Sequence, residues 1–435
     1  MTTAANIDSM KAGMAYDDLP ALFQAVVGVP DRLDIDFLWI DRLCIIQGDN
    51  DDFHTQAAKM GQIYGNATLT SAAAFAVTER DGFVSRDLRT ADLHVEVPDI
   101  GDLMINAHER THRLGTEQEG GDYGRMSTRA WIWQERLLAA RTISFTPRSI
   151  KFECRRYSQW EGDDPTMRGH SYSAQLDNMT HERWTKLIEE FTKRNISRPY
   201  DRLPAIKAVM GRIQKSTGWT PFCGIWTDEL VQGLCWKSPL GSGNLNFSCK
   251  VNPRAYAPSW SWASVEGPID YAEVIGAQQP QIWDARCVNL DRAEGMIRLS
   301  ARISCFKIHG DKDPPPRKGE ITFGGNPWIY RVSTAKGLHR KSPLVIPDVV
   351  LRRSHRVHGG KISTAVERVP YGEAAPTQAW ESICLAVLLY TDGVDAISLI
   401  SGRHLPDSKA WERVGLCRSS SSAFEGLERT FVDVC

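Results

Sequence analysis

Asp41 is the first residue of this chain whose position suggests chemistry. It ends the apolar run Phe37-Leu-Trp-Ile-Asp41, which predicts a buried strand. In open α/β sheets, ligands gather where the strands deliver their carboxyl ends, so Asp41 is a candidate binding residue. An aspartate in this position also often caps a helix or bonds its own loop. The sequence leaves both interpretations open.

Trp131 and Glu135 form a second candidate pair. They lie four residues apart on a helix that we expect to begin near Ser127 or Thr128. Positions i and i+4 share one helix face, so the indole could stack on a ligand while the carboxylate faces the same cleft. The alternative is a core tryptophan beside a glutamate that pairs with a neighbouring arginine, such as Arg136 or Arg141.

Other motifs for catalysis or metal binding are missing from the sequence. The acidic loop Gly48–Asp52 departs from the calcium-loop pattern at His54 and Met60, and its acids suit a helix N-terminus better. The histidines lack paired-ligand spacing, and there is no phosphate-binding glycine loop. We therefore expect no metal site. Trp260 and Trp262 could stack on a sugar or base, but large aromatics at period two are mostly core residues.

The composition excludes several classes of protein. The chain has 435 residues and a formal net charge of −1, so no overall electrostatic field would attract nucleic acid. Its ten cysteines are scattered, so a disulfide or zinc scaffold is not expected. The N-terminus lacks the pattern of a signal peptide, and no apolar run approaches the roughly 20 residues that span a bilayer. We expect a cytoplasmic protein without a membrane span.

The elements that would position Asp41 form a predicted β-α-β unit. Helical spacing predicts a helix over Asp51–Tyr64 with Asn50 as its N-cap, and Ala67–Phe75 reads as the next strand. The crossover between such strands is normally right-handed, with the strands parallel. A short helix over Leu19–Val27 precedes the unit. A hairpin of Thr142–Phe145 and Ile150–Cys154 follows the helix of Glu135.

The second half is expected to be mixed. A helix is predicted over Glu182–Lys193, and strands over Tyr256–Ser264, Ile297–Ile303, Ile383–Tyr390 and Ala396–Ile400. Residues 310–380 lack a periodic pattern and contain a proline cluster, which suggests a loop-rich, partly disordered insertion. The predicted domains are 1–158, a region 170–309, the insertion 310–380 and a strand-rich segment 381–435.

Several ordered blocks resemble the fungal heterokaryon-incompatibility (HET) domain. Leu38-Trp-Ile-Asp-Arg-Leu-Cys-Ile-Ile-Gln47 is similar to the central motif of that family, and Met60–Ala74 to the helix and strand after it. Arg129-Ala-Trp-Ile-Trp-Gln-Glu-Arg-Leu-Leu138 resembles its closing block. Downstream, Asp201–Ile206 and Ala257–Ser264 look like the region that commonly follows. The family's opening strand, with its Leu-Ser-Tyr and Trp-Gly residues, has no counterpart here.

The resemblance implies a fold and a function. HET domains are similar to Toll/interleukin-receptor (TIR) domains, which implies an α/β fold with a TIR-like parallel sheet flanked by helices, followed by a strand-rich α+β region. Some TIR domains cleave NAD with a glutamate in a W-x-x-x-E pattern, so Glu135 becomes the catalytic candidate, with Asp41 and Trp131 as binding candidates. NAD would be a substrate, and no cofactor is required.

The expected role is fungal non-self recognition and regulated cell death, with the catalytic activity weakened or lost because the opening strand is missing. The alternative is a non-enzymatic module that signals by self-association. A homo-oligomer and a protein partner that the sequence does not identify are plausible in both cases.

Overall fold

The protein is described from a computed structural model. The structure describes residues 1–74, 90–98, 101–108, 126–146, 149–164, 168–239, 250–251, 256–272, 279–280, 284–288, 295–312, 328–334, 345–347, 351–358, 361–369, 376–404 and 410–435, with the single residues 76, 78, 80, 83 and 166. They fall into two compact units. The first comprises Met1–Met179 with Lys207–Arg212, and the second Thr180–Ile206 with Ile213–Cys435.

The first unit combines helices with a four-stranded sheet. Its helices are α1 Ile7–Ala12, α2 Ala21–Arg32, α3 Asp41–Cys44, α4 Asn50–Asn66 and α5 Ala130–Leu138. Its strands are β1 Thr70–Ala73, β2 Thr90–Val97, β3 Gly101–His108, β4 Arg141–Phe145, β5 Ile150–Cys154 and β6 Ser158–Trp160. Strands β2 and β3 pair only with each other among the described residues.

The four-stranded sheet has the order β1-β4-β5-β6. Strands β1 and β4 are parallel, with Thr70 opposite Thr142, whereas β4-β5 and β5-β6 are antiparallel. The predicted hairpin is confirmed as β4 and β5. The unit is thus a mixed α/β structure whose sheet contains one parallel pair.

The strand predicted over Phe37–Asp41 is wrong. Among the described residues no strand pairs with this segment, and Asp41 instead begins the short helix α3. The side chain of Phe37 is 90% exposed and that of Leu38 41%. An apolar run becomes a strand only where a neighbouring strand satisfies its backbone hydrogen bonds. The predicted β-α-β unit therefore does not form.

Helix α4 begins one residue earlier than its predicted cap requires. Asp49, not Asn50, is the N-cap, and its carboxylate accepts the backbone N–H groups of Asp51 and Asp52 at 2.9 and 3.0 Å. The acidic loop thus satisfies the donors at the helix N-terminus. Asp52 also accepts the N–H of Ile46 at 2.7 Å, which lowers its pKa.

Three helices and six short strands open the second unit. The helices are α6 His181–Thr192, α7 Pro204–Thr217, of which Lys207–Arg212 groups with the first unit, and α8 Leu230–Gly233. The strands are β7 Pro221–Phe222, β8 Ile225–Trp226, β9 Trp236–Lys237, β10 Lys250–Val251, β11 Val265–Glu266 and β12 Asp270–Tyr271.

A nine-stranded sheet dominates the remainder of the second unit. Its strands are β13 Gln279–Pro280, β14 Asp284–Val288, β15 Met296–Lys312, β16 Trp328–Thr334, β17 Val345–Pro347, β20 Trp380–Thr391, β21 Asp395–His404, β22 Trp411–Ser420 and β23 Arg429–Val434. The hairpin of β18 Leu351–His358 and β19 Lys361–Arg368 pairs with itself.

Five of these strands close into a ring. The order β20-β21-β22-β23-β15 returns to β20, because the second half of β15 pairs with β20 and its first half with β23. Strand β22 meets β23 at Trp411 and Val434. Buried side chains fill the adjacent core, including Phe306, Leu388, Ile400, Val414 and Phe424.

One further strand prediction differs from the structure. Tyr256–Ser264 does not form the predicted strand, since its end Trp262–Ser264 is a 3₁₀ turn. Trp260 and Trp262 are fully buried, and their indole N–H groups donate to the carbonyls of Gly295 and Gly224 at 3.0 and 2.8 Å. Their interpretation as core residues is confirmed.

Residues 310–380, expected to be rich in loops, contribute the strands β16 to β19. The domain limits drawn from the sequence remain predictions. No helix in the described part of the chain has both the length and the apolar character needed to cross a membrane.

Candidate functional site

Helix α5 carries Glu135 and fixes its direction. The helix buries Trp133, Leu137 and Leu138, which are at most 2% exposed. Glu135 is two positions from Trp133 and Leu137, so it points away from that buried stripe, and its side chain is only partly buried. A carboxyl held at the margin of a core is desolvated but still within reach of a ligand.

The surroundings of Glu135 bring three other groups together. The Tyr64 hydroxyl on α4 donates a hydrogen bond to the carboxyl, while Asp41 and Arg129 act on it electrostatically. Burial raises the pKa of Glu135 to about 7; the Tyr64 hydrogen bond opposes the rise, Asp41 adds to it and Arg129 opposes it. This carboxyl can therefore both donate and accept a proton near neutral pH.

Tyr64 is the centre of this arrangement. Burial, and then the charge and hydrogen bond of Glu135, raise the pKa of Tyr64 well above its usual range, and Asp41 contributes to the rise. The hydroxyl therefore remains a donor at physiological pH. The ring of Trp39 lies edge-on to the Tyr64 ring, with 5.9 Å between the centroids. The extended segment before α3 thus packs on the tyrosine that holds Glu135.

The local interpretation of Asp41 is observed, and its role as a binding residue stays a prediction. It is the first residue of α3, and its Oδ1 accepts the backbone N–H of Arg42 at 2.8 Å, a local bond. Its exposed carboxylate also lies close enough to Glu135 and Tyr64 to raise the pKa of each. The charge of Asp41 therefore acts on the Glu135 carboxyl, while a common binding site for the two residues stays a prediction.

Trp131 lies in the first turn of α5, the helix that carries Glu135. It is partly exposed, and its ring meets that of Phe53 edge-on at 5.9 Å. The fully buried indole of this block is Trp133. Of the arginines considered as partners of Glu135, Arg136 binds Glu153 at 3.3 Å and Arg141 donates to the carbonyl of Thr68 at 3.5 Å.

Three residues of the site were not selected from the sequence. In the sequence, Tyr64 stands only as the last residue of a predicted helix, Arg129 as part of a motif and Trp39 as part of a predicted strand. A signal existed for Trp39, because it lies two residues before Asp41. The contact of Tyr64 with Glu135 depends on how α4 and α5 pack, which spacing along one helix does not specify.

The site contains acids, a phenol and a guanidinium but no cluster of metal ligands. Among the described residues, no group of three or more histidine, cysteine, aspartate or glutamate side chains could hold a metal ion. A glutamate with a neutral-range pKa beside a second carboxylate is typical of functional sites, where burial and like charge are combined.

The comparison with protein families identifies the segment that holds this site. Residues 2–135 match the family model described as "Heterokaryon incompatibility protein (HET)". This chain contains a HET domain. The match includes Trp39, Asp41, Tyr64, Arg129 and Glu135, and it supports a heterokaryon incompatibility-type function in a fungal context. No curated protein and no solved structure matches the chain.

Proposed function

We propose that this protein acts in fungal non-self recognition and regulated cell death, and that its HET domain binds and cleaves NAD at Glu135. One observation carries the proposal: the Glu135 carboxyl, with a pKa raised to about 7 by burial, is bonded to Tyr64 beside Asp41 and Arg129. A TIR-like reaction needs a carboxylate of this kind. The parallel sheet of TIR domains has one counterpart in the described structure, the parallel pair of β1 and β4.

The charged groups of the site would act at successive steps of NAD cleavage. As the bond between nicotinamide and ribose breaks, its electron pair leaves with nicotinamide and positive charge develops on the ribose. The ionised form of Glu135 stabilises that charge, and it then accepts the proton lost by the water that adds to the ribose carbon. The products are nicotinamide and ADP-ribose. Arg129 is exposed and suits the diphosphate, and the partly exposed Trp131 offers a stacking surface.

The decisive experiment is NAD turnover by the purified full-length protein. We expect release of nicotinamide and ADP-ribose by the natural protein and a loss of at least about 100-fold in Glu135→Gln, the size typical of a general base. Asp51→Asn is the matched control, because Asp51 is an exposed acid in the first turn of α4. Absence of turnover in the natural protein, with NAD left intact, would refute the enzymatic proposal.

A non-enzymatic module is the second candidate, and the exposure of Phe37 and Leu38 favours it. Two adjacent large apolar side chains that face solvent are suited to contact another protein. In this alternative the HET domain signals by self-association through that segment. Cell death on overexpression that persists in Glu135→Gln would support it over the enzymatic function.

A further inference from the structure

Three side chains on the nine-stranded sheet form a line from a hydroxyl through an imidazole to a carboxylate. Ser333 Oγ lies 3.1 Å from His309 Nε2. On the other side of the same ring, His309 Nδ1 lies 3.5 Å from Glu381 Oε2. A serine beside a histidine that faces an acid is the arrangement that activates a serine as a nucleophile, and it is recognised by its geometry rather than by sequence order.

The strand pairing explains why these residues meet. His309 lies on β15, which pairs with β16 and with β20 along this stretch. Glu381 of β20 is directly opposite His309. Ser333 of β16 is diagonal to His309, because its own opposite residue is Lys307. Opposite and diagonal positions on one face of a sheet are within reach of long side chains. The residues come from three strands, so no local sequence motif marks them.

Glu381 divides its two carboxylate oxygens between two partners. Lys307 Nζ lies 2.7 Å from Oε1, which leaves Oε2 to face His309. The hydrogen bond from Lys307 is the main cause that holds the pKa of Glu381 below its ordinary value, so the acid stays ionised. We assign the ring proton of His309 to Nδ1, because the carboxylate can accept a proton donor there. Nε2 is then the acceptor for the Ser333 hydroxyl.

The three groups are open to solvent. The side chain of His309 is 27% exposed and that of Glu381 51%, and Ser333 is partly exposed. A substrate can therefore reach the hydroxyl from the face of the sheet. Lys307, directly opposite Ser333, places an ammonium group beside the position where a carbonyl oxygen becomes negative during attack.

We propose that Ser333 is a nucleophile activated by His309, with Glu381 as the residue that positions the imidazole, and that it accepts acyl groups from activated carboxylic esters. This activity goes beyond the NAD cleavage proposed above and does not depend on it. The substrate class follows from the chemistry of a hydroxyl activated by imidazole, which is attack on a carbonyl carbon. The open position favours a small ester with a good leaving alcohol.

The reaction balances in two steps. The Ser333 oxygen forms a bond to the carbonyl carbon while His309 Nε2 takes the hydroxyl proton, and Lys307 stabilises the negative carbonyl oxygen. The bond from that carbon to the alcohol oxygen then breaks, its electron pair leaves with the alcohol oxygen, and His309 returns the proton to it. Water, activated by the same histidine, cleaves the acyl-serine, which releases the carboxylic acid and restores the hydroxyl.

The test is acylation of the purified full-length protein by para-nitrophenyl acetate. We expect a burst of para-nitrophenol of about one equivalent per protein. The acetyl group should be found on Ser333 by mass spectrometry of peptides. Ser333→Ala should lose the burst, and His309→Asn should slow acetylation by at least about 100-fold, the size typical of a general base. The histidine variant also decides the test if Ser333→Ala does not fold.

Ser300 provides the matched control. It lies on the same strand as His309, and its opposite residues in the ladder are Asp284 and Phe431. Ser300→Ala should leave the burst unchanged. Glu381→Gln tests the positioning role, and it should lower kcat while KM changes little, because the acid contacts the imidazole and not the ester.

The outcomes decide the proposal without reference to NAD. A Ser333 that stays unacetylated in the natural protein would overturn it. An acetylation rate unchanged in His309→Asn, or equal acetylation of Ser300, would also overturn it, since either result shows ordinary serine reactivity. Glu135→Gln should abolish NAD cleavage and keep the acetylation of Ser333, so the two proposals can fail separately.

Discussion

Glu135 makes the HET domain less stable than it could be at neutral pH. Its pKa is raised from an ordinary value near 4.5 to about 7, so the folded protein holds the proton more tightly than the unfolded chain does. The associated stability is fully present below about pH 4.5 and is lost as pH rises through about 7. The site thus keeps a group that opposes folding, as functional sites often do.

Replacing Glu135 by glutamine should remove this dependence. The amide is neutral at every pH and still accepts the Tyr64 hydrogen bond. A shift of this size corresponds to about 3 kcal/mol at most, and the partial exposure of Glu135 reduces the expectation to about 1–3 kcal/mol. We expect Glu135→Gln to be more stable than the natural protein at pH 8 and equal to it at pH 4, measured by urea unfolding. If the free energies of unfolding of the two proteins changed with pH in the same way, the burial of the Glu135 carboxyl would be contradicted.

The sequence indicated part of this site. The predicted end of a strand points to Asp41 and the family motif to Glu135, and the charge of Asp41 acts on the Glu135 carboxyl, although the roles of both remain predictions. Tyr64 was not selected, because helical spacing shows which face of α4 is buried but not which residue of α5 it meets. Electrostatic coupling between residues far apart in the chain is a property of packing.

At the scale of elements, local periodicity located two helices and one hairpin well. Helices α4 and α6 and the hairpin β4-β5 were found within a few residues of their expected limits. The failures share a cause. Phe37–Asp41 and Tyr256–Ser264 both contain apolar residues in a strand-like pattern, yet neither pairs with a neighbouring strand in the part of the chain that the structure describes. Trp260 and Trp262 are satisfied by core packing and by hydrogen bonds to carbonyls instead.

The exposed segment before α3 gives a test at this scale. Phe37→Ser should change the free energy of unfolding by less than about 0.5 kcal/mol, because the ring is 90% exposed. Phe145→Ser, the matched variant in β4, should cost ~3–5 kcal/mol because that ring is only 7% exposed. Urea unfolding measures both. Equal losses of stability in the two variants would indicate that Phe37 is buried, as the predicted strand requires.

The same variant addresses the signalling alternative. If the HET domain associates through Phe37, sedimentation should show the natural protein as an oligomer and Phe37→Ser as a smaller species of unchanged stability. A species of the same size in both would remove the observation on which that alternative rests.

At the scale of the whole second unit, Arg413 connects the ring of strands to the short strand β9. It is fully buried on β22, and its guanidinium donates to the carbonyls of Leu234, at 2.6 Å, and Trp236. Its Cζ atom lies 3.7 Å from the centroid of the Trp236 ring. A planar fork can make both bonds and the stacking contact at once, which a lysine cannot.

Arg413→Lys should therefore destabilise the second unit by about 2–4 kcal/mol, the cost of losing buried hydrogen bonds from a charged group together with the ring contact. Arg418→Lys, on the same strand, should cost less than about 1 kcal/mol, because the Arg418 pair with Asp395 at 3.2 Å is exposed. Thermal unfolding monitored by tryptophan fluorescence suits this comparison. Similar losses for the two variants would contradict the role given to Arg413.

The closed ring also determines when the second unit can fold during synthesis. Strand β15 must pair with β20, about 80 residues later in the chain, and with β23, which lies beyond residue 428. Closure therefore has to wait until residues 429–434 have left the ribosome. The HET domain, whose matched segment ends at residue 135, is translated long before that point. During synthesis the HET segment would thus be complete while the strands of the second unit still lacked their pairing partners. In that interval the unpaired strand edges are prone to aggregation, and we expect chaperones to bind them.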